Sequence, residues 1–347
     1  MGTKIKKDAE KIILEPRRKF DYTPDPKQFY DLIVIGAGVS GLATAMYGKR
    51  LGLKTLVIGN LIGGTVTLTE VIENYPGFIS IDGPEFGRLM ENHAKDYDID
   101  IVSSMVQKIE IHKKSEKRHF KVFTKSKGDF FAKTIVVATG TAVRKLGVRG
   151  EGDFEGKGVS YCALCDGPFF RGKTLSVVGG SDSAVKEAIL LTKYAKKVYI
   201  IYRKEKPHPE EQTQKKLDEK IKQGKIEIIP NTNILEIKGD AFMNKVIFDK
   251  PYKGEKEFLL EGLFVYIGRI PLNQVIKGLK IKLNKLGEII INKNSETNIK
   301  GIYAAGDITD NEWKQAITGV AEGVKAAYYC YQYVSDNKFI LPLKSKK

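Results

Sequence analysis

The chain has 347 residues, 42% of them hydrophobic and 29% charged, a composition that gives room for two folded domains and excludes a disordered or fibrous chain. Lys and Arg number 58 against 42 Asp and Glu, a formal net charge of +16, but the excess runs from Lys4 to Lys347 and makes no concentrated nucleic-acid patch. Three cysteines are too few for a secreted disulfide framework, so a CxxC pair among them points to catalysis or metal binding in a cytoplasmic protein.

The N-terminus, MGTKIKKDAEKIILEPRRKF, mixes charges of both signs. It lacks the apolar run of about 7 to 15 residues and the cleavage site of a secretory signal, and no stretch of the chain reaches the roughly 18 apolar residues of a membrane helix. Residues 1–27, with Pro16, Pro24 and Pro26, read as a poorly ordered extension. The first regular pattern, DLIVIGAGVSGLATAMYGKRLGLKTLVIG at 31–59, is an apolar strand, a Gly-rich turn, a helix and a second strand. Its Gly36, Gly38 and Gly41 form GxGxxG: the first allows the tight turn, the second admits a pyrophosphate to the backbone, and the third lets helix and strand pack closely. The second strand of such a unit should end in a carboxylate for a ribose hydroxyl. Here it ends at Gly59 and Asn60, so Asn60 stands in as a neutral partner. A hydrogen bond to a charged group contributes roughly 1.5 to 3 kcal/mol, so the loss weakens binding without abolishing it.

A strand pattern at 120–124 and the apolar run TIVVATG at 134–140 follow, and then YCALCDGPFF. Cys162 and Cys165 stand three apart with Asp166 next to them. Two thiols at that spacing can close a small disulfide across one helical turn, and local charge can lower one thiol's pKa so that its thiolate attacks a partner disulfide. A zinc half-site would need a second pair of ligands. The remaining cysteine is Cys330, and His93, His112, His119 and His208 show no ligand spacing, so no metal site is expected.

The strand, turn, helix and strand grammar recurs in TLSVVGGSDSAVKEAILLTKYAKKVYIIYRKEK at 174–206, an internal duplication of a dinucleotide-binding unit. Short strand-like runs lead to GLFVYIGRIP at 262–271, GIYAAGDI at 301–308 and a final helical pattern in which Cys330 reads as a packed thiol. Asp307, at a strand end after Thr297, pairs with the first GxGxxG as an FAD signal; the alternative is a helix N-cap. The fold class expected is α/β with two Rossmann-like domains. The second, 143–267, is inserted into a first made of 28–142 and 268–335, with a tail at 336–347.

Over residues 28–335 the chain resembles the low-molecular-weight flavoprotein thioredoxin reductases. The matching elements are GAGVSG at 36–41, GGT and ENYPGF within 63–78, ATG at 138–140, CALCDG at 162–167, IGRIP at 267–271, AAGD at 304–307 and QAITG at 315–319. The resemblance implies FAD in the discontinuous domain, a redox-active disulfide in the inserted one, and a homodimer. It implies cofactor contacts from Gly64, Thr65, Asn74, Ala138, Thr139, Gly140, Gly306 and Asp307, with Gln315 and Ala316 along the isoalloxazine ring. It also implies that Cys165 receives electrons from the flavin while Cys162 attacks the disulfide of thioredoxin or a glutaredoxin-like protein. Asp166 matches the family's proton donor and acceptor, which agrees with the need of a leaving thiolate for a proton.

The chain departs from the family in places. Thr65 replaces the usual Gln of GGQ and Lys314 the usual Arg before Gln315, both bearing on FAD affinity. In the donor domain the GxGxxA fingerprint is read by Gly179, Gly180, Ser181, Asp182, Ser183 and Ala184, with Ser181 where a second Gly would admit pyrophosphate. The HRRxxxR clamp for NADPH becomes Tyr202, Arg203, Lys204 and, at its last position, His208. Arg binds a phosphate as a two-pronged fork whereas Lys is a point charge. Two lost forks cost on the order of a few kcal/mol, at roughly 1.5 to 3 for each such bond. NADPH is therefore expected to be a poor donor. Ferredoxin or a deazaflavin, used by family members with a degraded nucleotide site, is the alternative, while Lys204 and Lys206 keep the site basic enough for weak NADPH use. A redox sensor without steady turnover is the competing function, and the complete CALCDG argues against it.

Overall fold

The computed structural model describes residues 15, 16, 24, 28–69, 71–114 and 117–336. The expected extension at 1–27 and tail at 336–347 thus lie almost wholly outside the described residues. Among those described, the chain divides into two compact units, one from residues up to 142 and from 270 onward, the other Val143–Arg269. The α-helices among the described residues are α1 (Val39–Arg50), α2 (Gly83–Asp96), α3 (Ala163–Asp166), α4 (Asp182–Leu191), α5 (Glu211–Lys222) and α6 (Ala316–Asp336).

In the first unit, strands Asp100–Val102, Thr55–Ile58, Phe29–Ile35 and Asp129–Val137 lie side by side and parallel. Lys117–Thr124 and Val106–Lys114 extend the sheet antiparallel. The long strand Asp129–Val137 is shared: its first half pairs with Lys117–Thr124, and residues 135–137 take Ile302–Ala304 in parallel. A segment from beyond the second unit thereby completes the first unit's sheet. Parallel strands are covered on both faces and so read as unbroken apolar runs, and Leu32, Ile33, Val34, Leu56, Val57 and Ile58 are accordingly fully buried. Helix α1 carries small residues on the side that meets α6. The contact is close enough that a Cβ on Gly323 would stand 2.4 Å from the Ser40 carbonyl oxygen.

The second unit repeats the plan with a five-stranded parallel sheet in the order Val159–Ser160, Gly262–Val265, Thr174–Val178, Lys197–Ile201, Ile226–Ile229. A three-stranded antiparallel sheet, Ile234–Gly239, Met243–Tyr252 and Glu255–Leu259, follows. Ser181 caps α4, and Ala184, Val185, Ala188 and Leu191 of that helix are buried at helical spacing. Burying a Val or Leu side chain contributes about 1.5 to 3 kcal/mol, which is what holds the helix on its sheet. The two segments seen as copies in the sequence both form strand, helix and parallel strand, with Leu32 opposite Thr55 in one and Thr174 opposite Lys197 in the other.

Candidate functional site

The first unit gathers most of the expected cofactor residues at the carboxyl ends of its parallel strands, where ligands bind in such sheets. Gly36 leaves the strand with φ +113°, and a Cβ there would lie 2.2 Å from the Ala138 carbonyl oxygen. A Cβ on Gly41 would stand 1.9 Å from the Gly36 carbonyl oxygen, so these two positions admit glycine alone. Gly38 differs: the nearest atom to a Cβ there is the Gly64 Cα at 3.6 Å, and the backbone is open to an approaching ligand. Gly64 and Thr65 begin the short turn Gly64–Leu68 against it. Asn60 is exposed one residue beyond Gly59, whose own Cβ would press on Ala37 of the fingerprint loop.

Ala138, Thr139 and Gly140 follow the neighbouring strand, with Ala138 N donating to Ile35 O at 2.7 Å. The Thr139 hydroxyl is buried without a hydrogen-bond partner. An orphaned buried hydroxyl on the residue whose backbone N would lie 3.0 Å from a Cβ on Gly36 fits a polar ligand such as the dinucleotide FAD. Gly306 and Asp307 enter from the strand Ile302–Ala304. No helix follows Asp307 until α6 begins at Ala316, which removes the N-cap alternative. Gln315 accepts from Asn74 Nδ2 at 3.1 Å, and Ala316 packs on the cluster of Val39, Ile72 and Phe86, so these residues adjoin the fingerprint helix.

Two further anchors hold this cradle: Glu322, which the sequence does not single out, and Lys314, which stands where the family has arginine. Glu322, buried on α6, accepts from Gly306 N at 2.8 Å and Thr309 Oγ1 at 3.2 Å, and also from Asn311 Nδ2. Lys314, at the family's arginine position, donates to the carbonyls of Asp307 at 3.1 Å and Thr309 at 2.6 Å and pairs with Glu288 at 3.1 Å. The Lys therefore supports the Asp307 loop through backbone carbonyls, which an ammonium reaches as well as a guanidinium does. The buried charge in a helix face, AEG at 321–323, was the one signal of Glu322 available beforehand.

In the second unit Cys162 and Cys165 form a disulfide at α3, with Cα atoms 5.3 Å apart. Cys165 N donates to Cys162 Sγ at 3.2 Å. That donor would stabilise negative charge on Cys162 once the bond opens. Asp166 Oδ2 accepts from Ser160 Oγ at 2.5 Å, and the same Ser oxygen accepts from Cys162 N at 3.1 Å. The carboxyl group is thus tied to the cysteine turn through a buried hydroxyl. The preceding Tyr161 donates to Glu151 at 3.0 Å. Burial and the Glu151 charge push its phenol pKa up and keep it protonated. Cys330 is fully buried, and burial raises its thiol pKa.

The donor-type residues also come together. Gly179 turns at φ +146°, and Ser181 Oγ accepts from Ala184 N at 3.4 Å and meets Ser183 Oγ at 3.0 Å. Against the opposing effect of partial burial, the Lys186 ammonium, Glu210 N–H and Thr213 hydroxyl hold the Asp182 carboxyl below its ordinary range. His208 N donates to Gly180 O at 2.8 Å, and His208 Nδ1 lies 3.1 Å from the Tyr202 hydroxyl. Arg203 and Lys204 are exposed on the same loop. A cavity of about 840 Å³ in this unit, lined by Arg149, Glu236, Lys238 and Glu261 among others, contains none of the expected residues, and its mixed charges mark no ligand.

The family of pyridine nucleotide-disulphide oxidoreductases matches residues 30–323 of the chain. A thioredoxin reductase of Peptoclostridium acidaminophilum is 38% identical over 317 residues, covering 89% of this chain and 98% of that protein. One from Bacillus subtilis is 37% identical over 313 residues, covering 89% and 96%. Among solved structures, thioredoxin reductase from Streptococcus pyogenes superimposes with a TM-score of 0.81 at 35% identity, covering 89% of this chain and 99% of that one. Thioredoxin reductase from Giardia duodenalis gives 0.81 at 29% identity, covering 89% and 100%.

Proposed function

The chain belongs to the pyridine nucleotide-disulphide oxidoreductases, among the thioredoxin reductases, and from that premise we propose that it reduces thioredoxin or a glutaredoxin-like protein through Cys162 and Cys165. It is a flavoprotein disulfide reductase. The observation that carries the proposal is the Cys162–Cys165 disulfide on a turn that also holds Asp166 and offers Cys165 N to Cys162 Sγ.

The residues of the FAD cradle would be Gly36, Gly38 and Gly41 at the pyrophosphate, Asn60 at a ribose, and Thr139 and Asp307 as further polar contacts. Asn74, Gln315 and Ala316 would lie toward the ring. FAD bound there supplies two-electron transfer to sulfur. When the disulfide takes up an electron pair its S–S bond breaks, Asp166 provides a proton to one sulfur, and Cys162 keeps the negative charge beside Cys165 N–H. The Cys162 thiolate then attacks the partner's disulfide and expels one partner thiolate. Asp166 takes the proton back from Cys165, whose thiolate attacks the resulting mixed disulfide, expels the partner's second thiolate and restores the starting bond. Cys162→Ser should retain flavin reduction and lose thioredoxin turnover; unchanged turnover would refute the assignment.

A second reading concerns the donor. Arg203 is the one arginine left of the family's clamp, and His208 has Nδ1 engaged with Tyr202. This favours a donor other than NADPH, such as ferredoxin or a deazaflavin, delivered to a homodimer in the cytoplasm. Anaerobic titration with NADPH, NADH and reduced ferredoxin, followed by flavin bleaching, decides it. Rapid bleaching by dilute NADPH overturns the reading.

A further inference from the structure

The disulfide turn has backbone donors that its own few residues cannot satisfy. In a helix as short as α3 the leading N–H groups find no carbonyl one turn back. Cys162 N is taken by Ser160 Oγ and Cys165 N by Cys162 Sγ. Ala163, between the cysteines, is fully buried, so water does not serve its N–H. The acceptor is the Tyr266 phenol oxygen, at 2.6 Å, from 103 positions further along the chain.

Tyr266 is well placed to hold that bond. Its backbone N donates to Val178 O at 2.8 Å, just past the strand Gly262–Val265. Its carbonyl oxygen lies where a Cβ on Gly179 would come within 2.3 Å, so the main chain is wedged against the neighbouring turn. Burial, with the charge of Glu187, raises the phenol pKa and keeps it a neutral hydroxyl.

A neutral phenol that accepts from Ala163 must direct its own O–H elsewhere. Carboxyl groups act on it from two elements, Glu187 on α4 and Asp166 on α3, with Arg269 and the Ala163 N–H opposing. Glu187 Oε2 is buried and has no hydrogen-bond partner. Its pKa is raised by burial, with Arg269 acting against the rise.

Resting on the disulfide reductase reading, we propose that Tyr266 is a positioning residue that pins the Cys162–Cys165 turn in both redox states. The pin does not depend on the sulfurs being joined, so the reduced thiols stay at closing distance and the pair remains a good reductant.

The test uses the full-length FAD-loaded protein as wild type and Tyr266→Phe. Each is equilibrated in glutathione buffers and quenched by alkylation, and the dithiol–disulfide constant is read directly. Tyr266→Phe removes one oxygen, frees the reduced turn to open, and is expected to lower the closing constant by up to about fivefold, the worth of one neutral hydrogen bond, or up to about 20 mV at 29.6 mV per tenfold. Tyr266→Leu also lacks the oxygen and gives an answer if the Phe variant does not fold. A role confined to packing would lower the melting temperature and leave the constant alone; that result, in folded Tyr266→Phe with full FAD content, overturns the proposal. A wild-type pair that does not cycle at all would instead overturn the reductase reading.

Discussion

Replacing Glu322 by Gln tests how the FAD loop is held. Glu322 Oε2 accepts from Gly306 N and Thr309 Oγ1, and Oε1 accepts from Asn311 Nδ2. Gln has one acceptor oxygen, so its amide nitrogen must face one of those donors. Turning the Asn311 amide over is no remedy, because Asn311 Oδ1 already accepts from Trp313 N at 3.2 Å. At least one charge-assisted bond is lost, about 1.5 to 3 kcal/mol. If that loss falls on the 306–311 loop in its cofactor-holding form, FAD affinity drops about 10- to 150-fold at 1.4 kcal/mol per tenfold. The assay is reconstitution of apoprotein with FAD, followed by quenching of flavin fluorescence, with the melting temperature of the apoprotein as a control for general damage. A Gln variant with the wild-type Kd would show that Glu322 does not set the loop.

Gly41→Ala puts a Cβ 1.9 Å from the Gly36 carbonyl oxygen and should yield nearly colourless protein; a normal flavin-to-protein absorbance ratio counts against the cradle. Lys314→Met strips the charged partner from Glu288, whose side chain is 10% exposed and keeps, among the described residues, only the Asn284 amide at 2.7 Å, and breaking such a pair costs about 3 to 5 kcal/mol. The expected fall in melting temperature should be partly recovered by adding Glu288→Leu. Lys197, Lys253 and Tyr252 hold the Glu227 carboxyl down to about 2 from its ordinary 4.5. A depressed folded-state pKa stabilises fully above about 4.5 and is lost as pH falls toward 2. Glu227→Gln should flatten the melting temperature across that window, and an unchanged slope refutes the linkage.

The parts of the site that could be read beforehand are those whose chemistry is local. GxGxxG announces itself because strand, turn and helix are contiguous and because Gly36 and Gly41 have no room for a side chain. Cys162, Cys165 and Asp166 announce themselves because one turn of backbone brings them together. Both strand, helix and strand copies follow from apolar runs and turn glycines spaced along a short segment.

What tertiary structure alone decided is which distant groups complete those local pieces. Tyr266 reaches Ala163 across 103 residues, Asn74 meets Gln315 across 241, and Glu322 caps Gly306 from the next helix. None has a spacing rule, since each partner is chosen by how the strands are ordered in the sheet rather than by sequence distance. Buried polar groups must find partners wherever packing puts them. A lone Glu in a helix or Tyr after a strand therefore acquires its role once the chain has folded around it.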